Sequence, residues 1–239
     1  MPSYRDPMPD MNTPPLPRVL SVNLGVATAT DHSSARFTGI DKQPTEGSVW
    51  VAAPGPKGSG GSGLAGDAVC DRRHHGGDDQ AVYAYAREDL DRWQQELGRV
   101  LGNGGFGENL TTTGIDLSQA VVGETWRIGA ELVLQVSDPR IPCRTFAGFL
   151  GERGWIRRFI DTACSGTYLR VLQPGEVRAG DPIAVLDRPA HRVTVQVAFR
   201  AFTTHSDLLP RLIGVDGLSA EARAMVAART PVAVDLDSV

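Results

Sequence analysis

The chain is cut into many short pieces, and that punctuation limits what it can fold into. Runs rich in β-branched and aromatic residues are separated by Gly, Pro and Asp. They are Val19 to Gly25, Ser48 to Ala52, Gln80 to Tyr85, Thr125 to Ile128, Leu132 to Val136, Thr167 to Leu172, Pro182 to Leu186 and Val193 to Val195. Each run is too short for a stable helix and is closed by a turn former, so each predicts a strand. Many short strands without regularly alternating helices predict a barrel or sandwich rather than a doubly wound sheet.

Two amphipathic segments interrupt the strands. Arg87 to Leu101 places Leu90, Trp93, Leu97 and Leu101 on one helical face. Glu152 to Cys164 does the same with Trp155, Ile156, Phe159, Ile160 and Ala163, with Gly166 placed to end it and Cys164 on the apolar face. After Val195 the pattern turns helical. Gln196 to Phe202, Asp207 to Ile213 and Ser219 to Ala228 predict short helices, with Thr194 and Ser219 as N-caps. The reading is therefore a flexible arm over residues 1–18, a β domain over 19–190 and a helical extension over 191–239, with a frayed tail from Val234 to Val239.

A net charge of −4 gives no general case for binding nucleic acid or a membrane surface. Three cysteines, Cys70, Cys143 and Cys164, are too few for a disulfide framework and point to a reducing compartment. With no apolar signal region and no membrane-length stretch, the expectation is a soluble cytoplasmic protein.

Chemistry concentrates in a few loops. Pro139-Arg140-Ile141-Pro142-Cys143 follows a strand and sets one thiol between Arg140 and Arg144. Neighbouring positive charge favours the thiolate, which is the nucleophile and the metal ligand. Two prolines stiffen the segment. The motif fits a metal-holding turn, and it equally fits a small core thiol in a proline turn. His74-His75-Gly76-Gly77-Asp78-Asp79 offers imidazoles and close backbone approach, suited to an anion or a metal, or simply to a polar loop. Cys70, Asp71, His74 and His75 lack the second cluster a zinc site would need. Gly58 to Gly63 matches G-x-G-x-x-G in letters only, since Pro54 and Pro56 precede it and no helix pattern follows. Gly102 to Asn109 ends in Glu108 and Asn109, a carboxylate and an amide able to orient a ligand ring or to shape a turn. Gly66-Asp67, Gly123-Glu124 and Gly180-Asp181 look like turns at strand entries.

The order of these motifs is distinctive. Gly66-Asp67, His75-Gly76-Gly77, Phe106-Gly107-Glu108-Asn109, Gly123-Glu124 and Gln135 to Cys143 resemble the MOSC domain, found at the C-terminus of molybdenum cofactor sulfurases and alone in bacteria. The chain looks most like the YiiM-like bacterial subgroup, which carries a small helical domain after the core. The resemblance implies a mostly β, MOSC-type β-barrel with a few helices and a small helical C-terminal appendage. It implies a molybdopterin-type molybdenum cofactor, with Cys143 as metal ligand or persulfide carrier. It also implies reduction of N-hydroxylated compounds such as hydroxylaminopurine bases. On that resemblance Arg140 and Arg144, with Arg73, would pair the cofactor phosphate. His75 would bond the oxo group or relay a proton, and Gly76, Gly77, Glu108 and Asn109 would shape or hold the pterin. No ferredoxin-type cysteine series and no flavin or nicotinamide fingerprint is present, so a reductase of this kind would take electrons from a separate protein. The alternative is a carrier of sulfur or cofactor without redox turnover.

Overall fold

The computed structural model describes residues 16–234. The N-terminal arm expected over 1–18 lies outside the described residues up to position 15, and so does the expected tail from 235 onward.

Twelve strands and five α-helices alternate irregularly along the described chain. The strands are β1 (Arg18–Gly25), β2 (Thr28–Ala29), β3 (Phe37–Thr38), β4 (Lys42–Pro44), β5 (Val49–Val51), β6 (Val82–Ala86), β7 (Leu110–Thr113), β8 (Thr125–Ile128), β9 (Leu132–Pro139), β10 (Thr167–Gln173), β11 (Gly175–Val177) and β12 (Ile183–Asp187). The helices are α1 (Arg87–Leu97), α2 (Arg144–Leu150), α3 (Trp155–Thr162), α4 (Val195–Thr203) and α5 (Ala220–Ala228). Eight strands form one sheet in the order β12-β8-β9-β10-β6-β7-β1-β4, antiparallel except for the β6–β7 pair.

The sheet curls until its edge strand β12 meets β1, the strand next to the other edge, β4. Arg18 bridges Pro182, Val19 N–H donates to Asp181 O at 2.9 Å, and Ile183 N–H donates to Pro17 O at 2.9 Å. The expectation of a sheet-dominated fold with a few helices holds. The paired ladder itself runs from β12 to β4 and is not a closed ring among the described residues.

The period-2 side-chain alternation of a strand sorts β6 between two cores. Val82, Ala84 and Ala86 face the inside of the curl with Val22, Trp126, Leu134 and Leu169. Tyr83 and Tyr85 face outward into an aromatic layer with Trp93, Phe146, Trp155 and Phe159, brought there by α1, α2 and α3, and with Phe106 of the turn before β7. Phe106 and Phe146 meet edge-on at 5.2 Å, a geometry favoured by the ring quadrupoles. A third core joins α4, the 3-10 turn Ser206–Leu212 and α5 through Ala198, Phe202, Leu209, Leu212, Ala222 and Val226.

Several expected boundaries move. The helix expected to Leu101 stops at Gly98, which adopts the left-handed conformation at φ 65°. The helix expected over Glu152 to Cys164 is α3, shorter at both ends. Ala163 takes a left-handed cap at φ 52°, so Gly166 does not end it and Cys164 lies beyond the helix, half-buried, with Sγ 3.5 Å from Thr162 O. Val193 to Val195 is not a strand. Thr194 makes a single bridge to Val121, and its hydroxyl caps α4 by accepting from Val197 N–H at 3.2 Å. Ser219 caps α5 as expected, accepting from Ala222 N–H at 3.1 Å. The helix expected over Asp207 to Ile213 is instead the 3-10 turn Ser206–Leu212, which contains Pro210, whose ring disfavours an α-helix interior.

Candidate functional site

β9 ends at Pro139, and the chain then runs without regular structure to Cys143, which stands immediately before α2. Cys143 sits where an inner cavity of about 110 Å³ opens into an outer cleft of about 540 Å³. His75, Gln80 and Tyr168 border both spaces with it.

The thiol is activated. Burial by itself raises it, but a hydrogen bond from His75, the charges of His75 and Arg140, and the Phe146 N–H at the start of α2 together outweigh burial and lower it to about 7. Near neutral pH a large share of Cys143 is therefore thiolate. His75 is held in place by tight backbone packing. Its N–H donates to Asp71 O at 2.9 Å, and Gly76 follows at φ 79° against the glycine-rich loop. A Cβ at Gly76 would lie 2.6 Å from Gly61 O, and one at Gly77 would lie 2.7 Å from the Lys57 backbone. The loop over 58–63 is thus the backing of the His75 turn. Gly77 N–H donates to Gly61 O at 3.0 Å. Gly76 borders the inner cavity, whereas Gly77 serves packing.

Arg140 is 6% exposed and borders the inner cavity. Its guanidinium lies over the rings of Phe146 at 3.9 Å and Tyr83 at 4.8 Å, and it donates to Phe106 O. No carboxylate pairs with it among the described residues; the nearby acidic groups acting on it are Tyr83, Tyr168 and Cys143. Arg144, its expected companion, points elsewhere. It is exposed, donates to Asp31 O at 3.2 Å and borders only the outer cleft. Arg73 is exposed as well.

Glu108 and Asn109 part company. Both carboxylate oxygens of Glu108 are occupied inside the protein, accepting from Gly104 N–H at 2.6 Å, Phe106 N–H at 3.0 Å and Thr111 Oγ1 at 2.8 Å. Fully buried, Glu108 shapes the turn and does not reach the cavity wall. Asn109 does reach it. Its Nδ2 donates to Asp67 Oδ2 at 2.9 Å, and its Oδ1 accepts from Tyr83 N–H at 3.2 Å.

The bordering residues also include Lys42, Asp67, Gln80 and Tyr168, none of which the sequence assigned a role at the site. Asp67 looked like part of a turn, and Gly66 does turn there at φ 84°. Its carboxylate nonetheless gathers Lys42, Asn109 and, at 2.7 Å, the Gly25 N–H. Burial pulls the Lys42 ammonium down, opposed by Asp67 and then Glu108. Nothing in the local sequence marks Lys42, because its burial follows from the pairing of β4 with β1. Burial holds the Tyr168 phenol up at about 12, so it stays a neutral O–H donor at physiological pH. Cys70 borders the inner cavity too, and burial raises its thiol.

Among the described residues no three His, Cys, Asp or Glu side chains converge on a point that would hold a bare metal ion. One soft thiolate beside a cavity bordered by a buried guanidinium without a carboxylate partner fits a different guest: an anionic group carrying a metal that brings most of its own ligands.

The family model of the MOSC domain matches residues 71–184, the span from the His75 turn through Cys143 to the start of β12. The chain is 34% identical over 183 residues to the uncharacterized protein YflK of Bacillus subtilis, covering 76% of this chain and 79% of that one. It is 34% identical over 164 residues to protein YiiM of Escherichia coli, covering 66% of this chain and 72% of that one. A Gibberella moniliformis protein named reductase is 29% identical over 83% of this chain, which spans only 36% of that protein's length. The crystal structure of YiiM from Geobacillus stearothermophilus superposes with a TM-score of 0.72 at 25% identity, covering 89% of this chain and 98% of that one. YiiM from Escherichia coli gives 0.68 at 26%, covering 90% and 92%. The chain belongs to the MOSC-domain family. Within it, the chain is similar to the YiiM proteins in both sequence and fold. No helix among the described residues is long and apolar enough to cross a membrane.

Proposed function

We propose that this protein holds a molybdopterin-type molybdenum cofactor in the inner cavity and reduces N-hydroxylated compounds to amines. The observation that carries the reading is the meeting of a thiolate, Cys143, with a buried guanidinium lacking a carboxylate partner, Arg140, at one cavity in a MOSC-family chain. The relative named reductase supports the reaction class.

When bound, the cofactor supplies two-electron redox chemistry at molybdenum. Cys143 offers the soft sulfur ligand. Arg140 would supply positive charge toward anionic parts of the cofactor, Lys42 being paired with Asp67, and Asn109 presents an amide edge. His75 keeps Cys143 ionised and stands at the cavity mouth, able to pass a proton. The net reaction consumes two electrons and two protons, breaks the N–O bond, and releases the amine and one water. The electrons come from a separate donor protein, because the chain carries no flavin, nicotinamide or iron–sulfur fingerprint.

The test loads the protein in a cofactor-competent host and supplies hydroxylaminopurine with an artificial electron donor. Production of the aminopurine, lost in Cys143→Ala, supports the reading; no turnover by molybdenum-loaded protein overturns it. The same activated thiolate also suits sulfur exchange. A labile extra sulfur on Cys143 in the mass spectrum of protein that does not turn over would favour the carrier reading.

A further inference from the structure

Where the inner cavity opens into the outer cleft, the protein leaves one acceptor and one donor unused. Gln80 closes the 3-10 turn Asp78–Gln80 and borders both spaces. Its Oε1 is buried and has no hydrogen-bond partner among the described residues. Buried amide oxygens are rarely left so, which makes this atom a candidate ligand contact.

Tyr168 borders both spaces as well. Its ring lies 5.2 Å from that of Tyr83, yet the hydroxyls of the tyrosines here differ in what they do. Tyr83 donates to Ser165 O at 2.8 Å and Tyr85 donates to Cys164 O at 3.0 Å. The Tyr168 hydroxyl has no such partner among the described residues and borders the open space beside Cys143.

Both groups stand on firm supports. Tyr168 is in β10, paired to Tyr83 of β6. Arg170, also in β10, donates to Asp79 Oδ1 at 2.9 Å, and Ser137 Oγ donates to Asp79 O at 2.5 Å. The turn carrying Gln80 is thus tied to the strands that carry Tyr168 and lead to Cys143. A site on such elements holds its geometry better than one on a free loop.

We propose that Gln80 and Tyr168 are specificity-determining residues that read the N-hydroxyl group itself, Gln80 Oε1 accepting from the substrate N–H and the Tyr168 O–H donating to the oxygen bound to that nitrogen. The pair rests on the reductase reading above and deepens it by naming what distinguishes substrate from product. A hydroxylamine satisfies both groups. The product amine satisfies Gln80 and leaves Tyr168 without its acceptor, so the product is held more weakly and released.

The experiment is equilibrium dialysis of 6-hydroxylaminopurine and of adenine against cofactor-loaded protein without an electron donor, so that no turnover intervenes. Wild type should prefer the N-hydroxylated base by about tenfold, the usual scale for one good hydrogen bond. Tyr168→Phe, which removes one oxygen atom, should reduce that preference to within about twofold while leaving adenine binding unchanged. Gln80→Met should weaken both ligands by several-fold. Circular dichroism and urea midpoints matching wild type establish that the variants fold. Full preference retained in Tyr168→Phe, or no preference in wild type, overturns the pair. Turnover assays separate this from the parent reading. Wild type that reduces hydroxylaminopurine while Tyr168→Phe keeps its preference leaves the reductase standing without the pair, and wild type that never turns over removes the reductase.

Discussion

Behind the inner cavity, most charged and amide side chains are bound to one another; around the outer cleft, they mostly face water. Inside, Asn23, Lys42, Asp67, Glu108 and Asn109 form a buried network in which Asn23 Nδ2 donates to Thr111 Oγ1 at 2.9 Å and to Glu108 O at 3.1 Å. Outside, Lys57 pairs with Glu221 across the cleft, His74 pairs with Asp71 at 3.1 Å, and Arg144 is exposed. Cys143 lies on the border. Buried polar groups hold one arrangement because leaving any of them unpaired is costly, whereas exposed pairs exchange freely with water. The inner wall therefore fixes where a bound group must sit, and the outer wall can adjust to what enters.

That contrast breaks most visibly at Glu108. Glu108→Ala strands two backbone N–H groups and a threonine hydroxyl in the interior, and should cost about 3 kcal/mol or more. The urea midpoint measures it, and a loss below about 1 kcal/mol would mean that the inner network is not the rigid side of the comparison.

The border itself is sharpened by thiol chemistry. In cofactor-free protein, the rate of Cys143 alkylation by iodoacetamide should rise with pH through a midpoint near 7 and level off above it, since only the thiolate reacts. His75→Ala removes the foremost group favouring the anion, so the midpoint should move upward toward the ordinary thiol range. Cys70, whose thiol burial raises, should react in the higher range and serves as the internal control.

The smallest effect belongs to the outer rim. Lys57→Ala removes an ion pair whose side chains are 34% and 61% exposed, and should shift stability by less than about 1 kcal/mol in thermal melts. A larger loss would place the rim with the interior.

The sequence revealed elements whose cause is local. Thr125 to Ile128 is a strand at the bounds its β-branched run suggested, and Thr194 and Ser219 cap the helices they precede. It concealed what long-range pairing decides. β7, Leu110–Thr113, has no alternating apolar pattern to reveal it, and it forms between β1 and β6. α2 is seven residues long and begins right after Pro142 and Cys143, so no helical period shows in it. The candidate site divides the same way. Cys143, His75, Arg140 and Asn109 stand in recognisable motifs and do border one cavity. Glu108 and Arg144 share those motifs, but their neighbours in space occupy them elsewhere. Lys42, Gln80 and Tyr168 enter the site only through the curl of the sheet.

The central claim is that Cys143 anchors molybdenum in the inner cavity. Metal analysis of wild type and Cys143→Ala, both purified from a cofactor-competent host and matched for fold by circular dichroism, tests it most directly. Wild type should carry near-stoichiometric molybdenum and the variant about tenfold less or lower, the scale on which a lost metal contact is felt. Equal molybdenum in both proteins, or none in wild type, would contradict it.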